Sequence, residues 1–343
     1  MILHVMDSAL VYKGTLQNYR AIRWSESYQG VGSFSLTVDD TDKNVSILTH
    51  GSYLYRKDRP CAMIVVQIVR NGEQKTITAS GYTCLSLLSR RVKQGLYTLS
   101  NVESGLYSIV GTAFSDVPTI AVASAKPLSE TWNAQVGDSS VQDIVLAAVK
   151  QVGLGARMNF DVSLLKHQFE VYKGVSREYQ EGVGGLVFST EFGNLVNITI
   201  NEDDDVYKNV AVVMGKKTDN SIIYVTVGSV TGLSKREVFI DGGSQTSTEA
   251  LADFQTRLSS IGSQELAKRY MVRNFSAEIK ATRFGVDFDL GDKITCNSTR
   301  YGVRFDTRIT AFSETIDNGV RKISVTLGEP SITYLQGALI KNG

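Results

Sequence analysis

Along much of the chain, apolar and polar residues alternate with a period of two. Ser33-Phe34-Ser35-Leu36-Thr37-Val38 does so strictly, which predicts a strand with one buried face. Other alternating or apolar runs bounded by turn residues predict further strands. Toward the N-terminus these are Leu10 to Tyr12, Tyr19 to Trp24, Tyr53 to Tyr55, Ala62 to Val69 and Lys75 to Ala79. Leu195 to Ile200, Val210 to Met214 and Ile222 to Val227 follow, and then Phe275 to Lys280, Lys293 to Cys296, Val303 to Ile316 and Val320 to Leu327. Gly30 and Gly32 punctuate the turn before Ser33 and are expected to be structural turn positions, glycine being the residue that tolerates positive φ. Asn71-Gly72 and Asn318-Gly319 each divide a predicted strand pair; Asn-Gly suits a two-residue type I′ hairpin turn.

Helical periodicity is scarcer. A short helix is predicted over Leu85 to Val92. A better one starts at Ser140, with Val141, Ile144, Val145, Ala148 and Val149 on one face, Ser140 as N-cap and Gly153 as the stop. The longest predicted helix, Thr248 to Tyr270, is rich in Ala, Leu, Gln and Glu, with Gly262 as its weak point. Runs of strands with few helices between them define a β-rich α+β chain, not an alternating βαβ one.

The two Asn-Gly sites carry an internal echo. Asn71 to Gly81 and Asn318 to Gly328 share the pattern N-G-x-x-K-x5-G, as two β-domains of similar plan would leave it. Against a strict alignment, the apolar positions that follow are one residue out of step: Ile77 and Ala79 against Ile323, Val325 and Leu327.

Composition narrows the function classes. The 343 residues suit two or three domains, and 42% hydrophobic content supports packed cores. Lys and Arg number 36 against 35 Asp and Glu, so no global positive field exists to wrap duplex DNA. No apolar run reaches the roughly 18 residues of a membrane span, and Met1-Ile2-Leu3-His4 has no secretory-signal character. Cys61, Cys84 and Cys296 are far apart, which predicts reduced thiols and no disulfide framework.

Candidate chemistry is sparse. No nucleotide-binding glycine loop, zinc-protease or serine-hydrolase motif is present. Gly182-Val183-Gly184-Gly185 has neither a lysine nor a helix after it and reads as a loop. His4, His50 and His167 lack metal-ligand spacing, and Cys84 sits among leucines as core. Glu202 to Asp205 reads as a solvated acidic turn, and the basic-aromatic run Tyr53 to Arg59 as strand ends with aromatic cross-strand pairs. No catalytic residue, cofactor or metal is expected.

Four blocks together resemble a known family: Trp24-Ser25-Glu26-Ser27-Tyr28-Gln29-Gly30-Val31-Gly32-Ser33-Phe34-Ser35-Leu36; Thr190 to Leu195 with Tyr207 to Val213; Lys235 to Asp241; and Phe288 to Ile294. In order and spacing they are similar to siphovirus tail-tip or baseplate hub proteins, also called tail-associated proteins, which resemble the hub of contractile-phage baseplates. The resemblance implies a homotrimer at the distal end of the tail tube. It implies two tail-tube-like β-barrel domains per chain with smaller inserted α/β domains, so that three chains match a sixfold tube. On that plan residues 1–95 form the first barrel, 96–245 a middle α/β region of two small subdomains, and 246–343 the second barrel with the long helix. Implied partners are the distal tail protein, other tail-tip proteins, the tape measure protein and, in transit, phage DNA. Near-neutral charge suits DNA that slides past. The implied location is the virion, assembled in the host cytoplasm. Some relatives carry a C-terminal peptidase or lysin; with this chain stopping at Gly343, wall cleavage is expected of another chain. A receptor- or carbohydrate-binding tail module and a cell-wall hydrolase are the alternative readings. Loop tips carry contacts, so Arg56, Lys57 and Arg59 in one turn, and Arg300 and Tyr301 in another, are the candidate inter-subunit contacts.

Overall fold

The alternation in Ser33–Asp39 becomes burial: Phe34, Leu36 and Val38 are buried and the residues between them are not. In the computed structural model, which describes residues 1–334 apart from 96, 268, 270–271, 280–283, 301–302, 318 and 329–330, this strand is one of fourteen in a single sheet. The N-terminal strands are β1 (Leu3–Met6), β2 (Tyr12–Leu16), β3 (Ala21–Ser27), β4 (Ser33–Asp39), β5 (Tyr53–Tyr55), β6 (Met63–Asn71) and β7 (Thr76–Thr83). They pair in the order β3-β4-β7-β6-β5-β1-β2. The long strand Val303–Asp317 lies antiparallel to β3 from Ala311↔Ser27 to Asp317↔Ala21, and Val320–Leu327 lies antiparallel on its other side. Strands from the two ends of the chain thus share one hydrogen-bonded sheet.

The chain forms two compact units, Met1–Ile198 with Ser276–Gly343, and Thr199–Phe275. In the first, the 3-10 helix Cys84–Arg90, the helices Val102–Ala113 and Val141–Val152, and a small sheet pack on β5, β6 and their neighbours around Leu88, Leu106, Val145 and Phe169. The small sheet runs Ile120–Val122, Lys166–Tyr172, Gly155–Asp161 in spatial order, the first pair parallel. In the second unit, Val210–Lys216 pairs antiparallel with Ile222–Val227 and parallel with Glu237–Ser244. The helix Leu251–Ala267 covers one face through Phe254 and Leu258. It packs with these strands rather than with the C-terminal ones. Gly262 is no weak point: a Cβ there would stand 2.8 Å from Val227 Cγ2 and 3.0 Å from Val213 Cγ2, so glycine lets the helix approach the sheet.

Local chemistry explains where pattern and structure agree. Ser140 caps Val141–Val152, its Oγ accepting from Asp143 N at 3.1 Å, and Gly153 ends the helix at φ 70°. The segment after Thr83 is a 3-10 helix, not an α-helix, over Cys84–Arg90. Two helices went unpredicted, Asp42–Ile47 and Val102–Ala113. The second buries Val102, Leu106, Ile109 and Val110, a helical spacing interrupted in sequence by Gly105.

The turns differ from expectation. Asn71 pairs with Thr76, so the first hairpin has a four-residue loop. Asn71 Oδ1 accepts from Glu73 N and Gln74 N, and the left-handed residue is Lys75 at φ 48°, not Gly72. In the second, Asp317 pairs with Val320 and Gly319 has φ 80°, so the loop has two residues; Asn318 lies outside the described residues. Lys75 is therefore in a loop while Lys322 is in a strand opposite Thr315. One sequence spacing spans two loop types, which accounts for the one-residue offset.

Gly30 and Gly32 have no positive φ. Gly32 is needed for space: a Cβ would stand 2.1 Å from Ser25 O and 2.8 Å from Glu26 Cα, both backbone, whereas at Gly30 the nearest atom is the movable Ser27 Oγ at 2.9 Å. Gly32→Ala is expected to cost about 1–3 kcal/mol by overpacking and Gly30→Ala clearly less, measured by urea denaturation of both variants. Equal costs would contradict this.

Candidate functional site

Two carboxylates sit where strand alternation turns them inward. On β3, Trp24 and Glu26 face the same way; beside them, Phe312 pairs with Glu26 and Glu314 with Trp24. Glu26 and Glu314 are 3% and 1% exposed. A carboxylate so buried needs a paired, hydrogen-bonded cation. Both cations come from the connection between β5 and β6. Arg59 grips Glu26 bidentately (Nε to Oε1 3.0 Å, Nη2 to Oε2 2.6 Å) and reaches Asp289 Oδ1 with Nη1 at 3.1 Å. Arg56 donates from Nη1 to Glu314 Oε2 at 2.7 Å and bidentately to Asp58 at 2.9 and 2.6 Å. Trp24 Nε1 donates to Glu26 Oε1 at 2.9 Å, and Arg321 also donates to Glu314.

Aromatic rings complete the enclosure. The Arg59 guanidinium lies 4.9 Å from the Phe284 centroid and 5.2 Å from that of Phe312, and Arg56 lies 5.5 Å from that of Trp24. Burial alone would raise the Glu26 carboxyl; Arg59 and the Trp24 N–H outweigh it and hold the group below its ordinary 4.5. Burial works against the charge of Arg59 and Arg56 too, and their carboxylate partners outweigh it, so both are held more firmly protonated.

Tyr28 ties the same block to the small sheet. Its hydroxyl donates toward Gly153 O (3.2 Å) and Tyr172 O (3.3 Å), and its ring meets that of Tyr172 edge-on at 5.1 Å. A Cβ at Gly291, whose φ is 90°, would stand 2.3 Å from Tyr28 Cε2. Asp292 accepts from Val175 N at 2.8 Å and Arg177 Nε at 2.7 Å. Two sequence blocks, Trp24 to Leu36 and Phe288 to Ile294, thus meet.

The candidate contact residues separate. Arg56 and Arg59 are 3% and 7% exposed and direct their donors to Glu314, Asp58, Glu26 and Asp289 of the first unit, so neither guanidinium stands free at a loop tip. Lys57 is exposed, at the edge of an open groove of about 510 Å³ lined also by Tyr55, Phe160 and Val162. Arg300 is exposed in the turn after Ser298, next to Thr299, whose N–H donates to Glu191 Oε1 at 3.1 Å. Tyr301 lies outside the described residues. Glu26, Glu314, Asp289 and Tyr28 were not singled out in sequence. The available signal was an acid at an inward position of a period-two strand, as in Trp24-Ser25-Glu26 and Phe312-Ser313-Glu314.

Among the described residues no three His, Cys, Asp or Glu side chains gather as a metal site, and no helix is long and apolar enough to cross a membrane. Cys61, Cys84 and Cys296 are buried, and burial pushes each thiol up. In the dense polar cluster Glu26, Glu314, Arg56 and Arg59 all have charged partners, and Arg56, Asp58 and Arg59 also line the groove beside Lys57.

This β-rich architecture is shared with phage tail proteins. The structure is similar to the 43 kDa tail protein of prophage MuSo2 from Shewanella oneidensis, with TM-score 0.60 and 11% identity over 96% of this chain and 98% of that one. It is similar to the tail protein from Neisseria meningitidis MC58, with TM-score 0.56 and 10% identity over 95% and 96%. Prophage tail protein gp18 from Listeria monocytogenes EGD-e gives TM-score 0.55 and 13% identity over 95% and 94%. At these identities the likeness is one of fold. No curated protein matches in sequence. The family model of the siphovirus ReqiPepy6 Gp37-like proteins matches residues 120–329, more than half of the chain. The chain belongs to that family, and its fold is the one it shares with these phage tail proteins.

Removing one partner of a buried pair leaves the other charged and alone. Arg59→Met is expected to cost about 3–5 kcal/mol of unfolding free energy, while Arg59→Met combined with Glu26→Leu recovers most of it. Denaturant melts of the two variants check this; a double variant as unstable as the single would contradict it. Because the folded-state Glu26 carboxyl is held below 4.5, its contribution is present above pH 4.5 and is lost as pH falls below it.

Proposed function

We propose that the chain is the hub subunit of the tail tip, three copies forming a pseudo-sixfold ring that closes or extends the distal tail tube and lets the tape measure protein and DNA pass. The observation that carries this reading is the single sheet built from both ends of the chain. The strands β1 to β7 and the strands from Lys293 onward would supply the two tube-like modules, and the unit Thr199–Phe275, which carries the helix Leu251–Ala267, would be inserted in the chain between them. The sheet order is open at β2, and Val11 and Tyr12 are 54% and 52% exposed there. An open edge needs a covering strand, and ring closure by a neighbouring copy provides one. The buried Arg56 and Arg59 hold the turn that presents Lys57; Lys57, with Arg300 and Tyr301, would touch a neighbouring subunit or the distal tail protein. A net charge of +1 leaves transported DNA free to slide.

Light scattering after size exclusion is expected to give three times the 37.5 kDa chain mass, and images of the tail tip three copies around a channel. A tip containing another number of copies, or carrying this chain away from the channel, would contradict the reading. Lys57→Glu is expected to lower the trimer fraction at fixed concentration while changing subunit stability by no more than about 0.5 kcal/mol.

A further inference from the structure

His167 is the one buried imidazole of the described residues, 1% exposed, and neither ring nitrogen has a hydrogen-bond partner. It lies at a seam within the first unit. Its own strand, Lys166–Tyr172, is the middle strand of the small sheet, and its backbone N–H donates to Thr119 O at 2.7 Å. On one side the ring meets Phe160 of the same sheet at 5.0 Å between centroids. On the other it meets Tyr53 of β5, in the main sheet, at 4.7 Å. The imidazole is therefore used as an aromatic filler between two sheets.

We propose that His167 is an acid-sensitive catch: neutral, it packs the small sheet onto β5; protonated, it releases that packing.

The surroundings offer the imidazolium nothing. From β5 the titratable groups are Tyr53 itself and Tyr55, whose ring lies 5.2 Å from that of Phe160. The helix Val102–Ala113 brings Tyr107 to the strand Lys166–Tyr172, burial pushing the hydroxyls of Tyr55 and Tyr107 up, and from the 3-10 helix Cys84 and Arg90 act on Tyr53. Burial pushes both the Tyr53 hydroxyl and the Cys84 thiol up, so they stay neutral, and Arg90 is a cation. Gly155–Asp161 places Phe160 on the ring and Asn159, uncharged, beside it; Asp161 closes that strand opposite Lys166 and bonds back to Ser163 and Leu164 instead. Ile120–Val122 brings no titratable side chain, and the neighbours along the strand are Lys166 and Gln168. Burial, acting alone, lowers the imidazole from 6.5 to about 4.

The direction follows from linkage. The closed form binds the proton less readily than an opened one, so closure is fully supported above pH 6.5 and is lost as pH falls toward 4. An opened seam with an ordinary histidine shifts the closed-to-open ratio by about 20-fold between pH 7 and pH 5, and by about 300-fold in the acid limit. This window lies above the one in which Glu26 takes its proton, so the seam loosens before the ion-pair cluster does.

Hydrogen exchange of the full chain at pH 7 and pH 5, corrected for intrinsic exchange, tests the proposal. Amides of Ile120–Val122, Gly155–Asp161 and Lys166–Tyr172 are expected to lose about 20-fold in protection at pH 5, with β3 and β4 unchanged. His167→Phe, which keeps the ring and removes the proton site, is expected to abolish the loss. A loss of the same size in His167→Phe, or no loss in the wild type, would overturn the catch. A proton NMR titration of the wild type gives a second reading independent of any variant: a His167 imidazole that titrates near 6.5 with the seam still protected would also overturn it.

Discussion

Glu26 and Glu314 cannot sit charged in a sheet interior unless cations reach them; of the three that do, Arg321 lies on the strand next to Glu314, and Arg56 and Arg59 come from one short turn. That turn joins β5 to β6; Glu314 and Asp289 lie more than two hundred residues further along. The pairing of Arg59 with Glu26 and Asp289, and of Arg56 with Glu314, therefore makes the N-terminal strands and the C-terminal ones mutually dependent. Arg321 gives Glu314 one partner from the C-terminal strands; the Arg56 bond to Glu314 and the Arg59 bond to Asp289 come from the N-terminal side. Well-packed apolar residues could be as stable, but they would pin register less strictly. The bidentate grip of Arg59 fixes the orientation of Glu26 on β3, and the Arg56 bond to Glu314 ties the same turn to Val303–Asp317.

Around that constraint the rest of the first unit falls into place. Gly32 lets the chain pass against the Ser25–Glu26 backbone, and Gly291 lets it pass the Tyr28 ring. Tyr28 then carries the lock into the small sheet through Gly153 and Tyr172. The second unit has its own core of Ala211, Val213, Phe254 and Leu258, and needs none of these charges. The strands most widely separated in sequence are those held by hydrogen bonds and ion pairs together.

Local physics was legible in the sequence, and long-range physics was not. Alternation located β3, β4, β6 and β7, and a cap with an apolar stripe located Val141–Val152, because those signals lie within a few residues of each other. The position of the Asn71 hairpin was legible, but its loop type depended on Asn71 Oδ1 capping two amides, which Asn-Gly alone does not specify. Arg56 and Arg59 read as a basic loop tip because nothing nearby in sequence announces Glu314 or Asp289. The hint that was present, an acid at an inward strand position, says that a cation must come and not from where. The family likeness was legible from blocks such as Trp24 to Leu36 and Phe288 to Ile294, which are the segments that converge on this cluster.

The central claim is that strands from both ends of the chain form one cooperative body keyed by these ion pairs. Native-state hydrogen exchange in rising denaturant measures it most directly. The account predicts that the amides of Ala21–Ser27, Ser33–Asp39 and Val303–Asp317 converge on a single opening free energy, and that Arg59→Met lowers it for all three together. It would be contradicted if Val303–Asp317 opened at low denaturant while β3 and β4 kept their protection.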